Sequence, residues 1–116
     1  MKDLDLTNFK IPTLKRERVE VAALGVAVYI QELTALAKEE YDAGIWLSNE
    51  NEESKSTQFR LRLVAACICD ENGGPSLTYE QLAQMPQNAV IDVLYSVAQR
   101  INSAGEEGIE AEAKNL

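Results

Sequence analysis

Arg16-Glu17-Arg18-Val19-Glu20-Val21 alternates polar with apolar positions, and Val26-Ala27-Val28-Tyr29-Ile30-Gln31 puts Val26, Val28 and Ile30 on one face, so both segments read as β-strands. Ala23-Leu24-Gly25 between them fits a three-residue hairpin loop in which Gly25 takes the left-handed conformation closed to most other residues. A lone hairpin is marginal in water, so its valine and isoleucine face must pack on helices from later in the chain. The expected fold class is α+β: a mostly helical single domain with an N-terminal β-hairpin packed on three to four helices.

Thr34 precedes a run of good helix formers and can cap their free amides, which predicts a helix from there to a stop at Gly44. The apolar triplet Ile45-Trp46-Leu47 and a polar loop over 48–56 follow. From Thr57 to Cys69, Phe59, Leu63, Ala66 and Cys67 share one helical face while Leu61, Val64 and Ile68 lie on another, the pattern of a central helix. Asp70-Glu71-Asn72-Gly73-Gly74-Pro75 ends it.

Thr78-Tyr79-Glu80-Gln81 is a capping box, with Leu77 and Leu82 as its hydrophobic staple. That short helix should stop near Met85, because Pro86 disfavours helical geometry before it and suits the first turn of the next helix. The last helix is expected to reach about Ser103, with Val90, Ile91, Leu94, Val97, Ala98 and Ile101 as a stripe for the core. The predicted organisation is an N-terminal arm over 1–13, a domain over 14–104 and an acidic flexible tail over 105–116, where four acids stand against one base.

Composition then narrows the chemistry. At 116 residues with 46% hydrophobic content, one core is expected. Eleven basic against 19 acidic residues give a net charge of −8, which disfavours nucleic acid and anionic membranes as partners. Histidine is absent, removing the commonest general base and zinc ligand. Cys67 and Cys69 sit in an apolar run as small hydrophobes, and one close pair builds neither a disulfide framework nor a four-ligand metal site, which fits a reducing cytoplasm. No glycine-rich phosphate loop or nucleophile elbow is present, and Glu39-Glu40 and Glu52-Glu53 diverge on a helix, so neither an enzyme nor a bound cofactor is expected. Lys2, Asp3, Asp5 and Lys10 interrupt the N-terminal apolar residues, so a secretion signal is not expected, and the apolar runs Val21 to Ile30 and Leu63 to Cys69 fall short of the ~20 residues of a membrane span.

A charged strand, a second strand passing into Gln31-Glu32-Leu33-Thr34, a helix, a polar loop, Phe59-Arg60-Leu61-Arg62-Leu63-Val64, an acid-glycine turn, Leu77-Thr78-Tyr79-Glu80-Gln81-Leu82, Pro86 and a closing helix together resemble the tail assembly chaperones of lambda-like, long non-contractile-tailed phages. The resemblance covers nearly all of residues 14 to 103 and is carried by order and spacing. It implies a noncatalytic protein of the host bacterial cytoplasm, absent from the mature virion, that binds the tape measure protein, keeps it soluble and helps recruit the tail tube protein. It further implies that a programmed frameshift can add a C-terminally extended form of the same chain. It assigns no binding residue to a numbered position.

Candidate binding residues therefore come from physics. Ile45, Trp46 and Leu47 join an apolar triplet to an acidic loop, where they either anchor a partner helix or cover the hairpin's apolar face. Leu4, Leu6 and Phe9, with Ile11 and Leu14, are spread along an arm that either docks on a neighbouring subunit of a homo-oligomer, docks on its own domain, or frays. The acids at Glu50, Glu52, Glu53 and in the tail serve as solvation or steer basic client segments. The alternative function is a small acidic regulator or inhibitor that occupies a basic surface of a host factor.

Overall fold

The computed structural model describes the backbone of residues 1–48 and 52–114 and the side chains of residues 1–43 and 59–103. β1 (Arg16–Val21) pairs antiparallel with β2 (Val26–Gln31), Val19 standing opposite Val28 and Val21 opposite Val26. The connecting loop is Ala22–Gly25, one residue longer than expected: the Leu24 and Gly25 amides both donate to the Val21 carbonyl at 3.0 Å, and Gly25 closes it at φ +70°. Four-residue hairpin loops of this kind are built around a turn that reuses one carbonyl before a left-handed residue. Val19, Val21, Val28 and Ile30 are buried, while Val26 on the same face stands 59% exposed beside the loop.

α1 (Ala35–Ser48) starts at the predicted cap, with Thr34 Oγ1 accepting from the Ala37 amide at 3.1 Å. The helix runs through Gly44 to Ser48, because one interior glycine costs only about 1 kcal/mol and no proline follows it. α2 (Glu52–Cys67) likewise begins inside the segment expected to be a loop, since glutamates suit the positive end of a helix. Residues 49–51 of that expected loop lie outside the described residues.

α2 also ends earlier than the pattern predicts. Ile68 and Cys69 form β3 (Ile68–Cys69), antiparallel to β2 with Ile68 opposite Ile30 and Cys69 opposite Tyr29, so β2 is the middle strand of the order β1-β2-β3. α2 is the central helix, packed on α1 and β2 and on the two later helices described next. Its inner face is Leu63, Val64 and Cys67, whereas Ala66 is exposed.

α3 (Tyr79–Ala83) carries the complete capping box: Thr78 Oγ1 accepts from the Gln81 amide at 3.2 Å, and Gln81 Oε1 accepts from the Thr78 amide at 2.9 Å. Leu82 of the staple is fully buried. Thr78→Ala is expected to lower folding stability by about 1 kcal/mol, read as a lower urea midpoint, with Thr78→Ser near wild type.

After Pro86 the chain makes a π-helical turn over Gln87–Ile91, in which the Ile91 amide donates to the Pro86 carbonyl at 3.4 Å, and continues as α4 (Asp92–Lys114). α4 is longer than the predicted helix, passing Gly105 and Gly108, because the glutamates, alanines and lysine around them favour helix. The predicted stripe holds: Val90, Ile91, Leu94, Ala98 and Ile101 are buried against Val28, Ile30, Val64, Cys67 and Leu82, with Val97 half-buried. The chain is a single α+β domain whose hairpin and helices share this one core.

Candidate protein-binding surface

The N-terminal arm is fixed at its root and free beyond it. The Lys15 amide donates to Glu32 Oε1 at 2.7 Å and the Glu32 amide to the Lys15 carbonyl at 2.9 Å, extending the hairpin past the end of β1. Arg16 Nε donates to Gln31 Oε1 and Arg16 Nη1 to the Glu71 carbonyl, both at 2.8 Å, tying both strands to the glycine turn. Leu14 is half-buried, and residues 1–13 are exposed.

Leu4, Leu6, Phe9 and Ile11 stand 69%, 79%, 54% and 85% exposed. The arm carries a local turn in which Asp5 Oδ1 accepts from the Thr7 amide at 3.0 Å and Asp5 Oδ2 from Asn8 Nδ2 at 2.8 Å. The Asn8 side-chain amide, aided by the Thr7 amide, holds the Asp5 carboxyl below the usual carboxylate range. Four large apolar side chains on one short segment make a surface on which a partner would gain contact area.

Of the residues singled out by sequence, Leu4, Leu6 and Phe9 thus share the exposed arm. Ile45, Trp46 and Leu47 fall in the last turns of α1, inside the helix rather than after it, and their side chains lie outside the described residues. The described part of α1 buries little, its inward contact being Tyr41, whose hydroxyl donates to the Phe59 carbonyl at 2.9 Å. Burial there pushes the Tyr41 phenol up to about 12. Leu36 on the same helix is 67% exposed.

Two supporting groups escape a reading by apolar pattern. Asn102 ties α4 to α2 and to the connection between β2 and α1: its Oδ1 accepts from the Leu33 amide at 2.9 Å, while Nδ2 donates to the Ala98 carbonyl at 2.7 Å and to Cys67 Sγ at 3.5 Å. An asparagine beside Ile101, at the inner edge of an apolar stripe, is the signal that marks it. Arg60 lies 5.5 Å from the Tyr95 ring centroid and 5.8 Å from that of Phe59, and pairs with Asp92 at 3.1 Å. Phe59 and Tyr95 meet edge to face at 5.6 Å, so α2 and α4 are joined by an aromatic pair capped with a cation.

The cysteines are free, and both are buried. Burial pushes the Cys67 thiol up to about 11, the Asn102 hydrogen bond offsetting part of the rise. Cys69 is raised by burial as well. At pH 8 the folded protein is therefore expected to alkylate with iodoacetamide far more slowly at Cys67 than the urea-unfolded chain, checked by mass spectrometry of the Cys67 peptide. Among the described residues no cluster of acids or cysteines is placed to hold a metal ion, and no helix is long and apolar enough to cross a membrane.

No family model matches the chain, and no curated protein matches it. Among solved structures, the bacteriophage HK97 tail assembly chaperone is similar, with a TM-score of 0.56 at 17% sequence identity, over 83% of this chain and 88% of that one. The hairpin, the helices and their shared core thus follow the fold of that tail assembly chaperone.

Proposed function

We propose that the protein is a noncatalytic phage tail assembly chaperone that binds the tape measure protein, keeps it soluble and promotes assembly of the tail tube. The observation that carries this reading is the fold shared with the HK97 chaperone over most of both chains. The exposed arm supports a mechanism of binding: Leu4, Leu6 and Phe9 supply apolar contact to amphipathic client helices, and Ile45, Trp46 and Leu47 supply a second anchor. A net charge of −8 keeps the loaded complex dispersed. In this role the protein works in the host bacterial cytoplasm and is left out of the mature virion. Its partners are the tape measure and tail tube proteins, a second copy of itself, and a frameshifted, C-terminally extended form.

Among the described residues, the acids Glu17, Glu20, Asp42 and Asp92 pair with Arg100, Arg18, Lys38 and Arg60. The test is co-purification of tagged protein with tape measure segments: wild type should retain them, and a variant carrying Leu4→Ser, Leu6→Ser and Phe9→Ser should retain less. Equal retention by both removes the arm from the proposed site; no retention by wild type removes the function.

A further inference from the structure

We propose that Asn72 is a site of spontaneous covalent modification, converting to aspartate and isoaspartate through a cyclic imide with Gly73, and that Asp70 restrains this conversion in the folded chain. Asn72-Gly73 is the single Asn-Gly step in the sequence. Glycine offers no Cβ to hinder approach of its own nitrogen, and Asn72 is exposed to the water the reaction consumes.

The chemistry needs no other partner. The Gly73 backbone nitrogen gives up its proton and attacks the carbonyl carbon of the Asn72 side chain, forming a C–N bond as ammonia departs with the proton. Water then opens the imide at either carbonyl. Opening at the former side-chain carbonyl leaves aspartate; opening at the main-chain carbonyl leaves isoaspartate, with one extra methylene in the backbone. No electrons are transferred.

The turn ties up the attacking nitrogen and the amides on either side of it. Gly73 N–H, the nucleophile, donates to the Asp70 carbonyl at 3.1 Å. Asp70 Oδ1 accepts from both the Asn72 and the Gly74 amides at 2.8 Å, and the Asp70 amide donates to the Gly74 carbonyl at 3.0 Å. Closing the imide requires the Gly73 nitrogen to leave its acceptor, so the turn must open first.

Conversion would also change the turn it occurs in. Isoaspartate lengthens the backbone between Glu71, whose carbonyl accepts from Arg16, and Gly73, whose α-carbon packs so closely that an added Cβ would lie 2.7 Å from Arg16 Nη2. It places a third carboxylate beside Asp70 and Glu71 as well.

The test incubates the full-length protein in mildly alkaline buffer, folded and in urea, and follows the Asn72 peptide by mass spectrometry and enzymatic isoaspartate methylation. In urea Asn72 should convert well ahead of Asn88, which precedes Ala89. The folded wild type should convert more slowly than in urea, and folded Asp70→Ala about tenfold faster than folded wild type, the factor expected when one or two net hydrogen bonds are lost. If Asp70→Ala fails to fold, as judged by circular dichroism, the wild-type comparison decides. Conversion in urea no faster than at Asn88 overturns the site, and equal rates in folded and unfolded wild type overturn the restraint.

Discussion

Ile30→Ala is expected to cost about 2–5 kcal/mol of folding stability, as a cavity-forming truncation of a buried side chain does. Ile30 is fully buried in the middle strand, opposite Glu17 on one side and Ile68 on the other. Its side chain belongs to the cluster that includes Val64 and Leu94, so the cavity would open where sheet and helices meet. Small domains have total stabilities of about 5–15 kcal/mol, so this is a large share. Urea denaturation should show a lower midpoint with an unchanged slope. Leu36→Ala is the control: at 67% exposed, Leu36 should shift stability by no more than about 0.5 kcal/mol. A loss under about 1 kcal/mol for Ile30→Ala would mean that the hairpin does not share the helical core.

Asn102→Ala is expected to cost about 1–3 kcal/mol, because it removes the acceptor for the Leu33 amide and leaves that donor unpaired. Leu33 immediately precedes the Thr34 cap, so the start of α1 loses its tie to α4. Amide hydrogen exchange should therefore quicken at Leu33 and along the first turn of α1, more than in α3. The substitution also deletes the hydrogen bond that holds the Cys67 thiol down, so its pKa should rise further from about 11. Unchanged exchange at Leu33 would show that the contact does not position α1.

The hairpin was legible because half-burial imposes a period of two, and the capping box because its two side chains satisfy each other's backbone donors locally. The stripe from Val90 to Ile101 was legible for the same reason, one face of a helix being dry. β3 was not: two residues carry no period, and Ile68 and Cys69 become a strand only because β2 presents Tyr29 and Ile30 to them. The ends of α1 and α4 were misread at Gly44 and Gly105, where a glycine's cost of about 1 kcal/mol is outweighed by helix-forming neighbours.

Of the candidate site, the apolar spacing of Leu4, Leu6 and Phe9 was visible in sequence. Their exposure depends on where the domain ends and the arm leaves it. Asn102 carries a local signal in its place beside Ile101, but its partner, the Leu33 amide, lies 69 positions away and no local pattern names it.

The proposed function requires that this fold hold a hydrophobic, helical client in solution. The most direct measurement is co-expression with segments of the tape measure protein from the same genome, scoring soluble recovery and co-elution against an unrelated hydrophobic helical control. Selective rescue of tape measure segments, with both proteins in one peak, is the expected result. Rescue of neither, or equal rescue of the control, would contradict it.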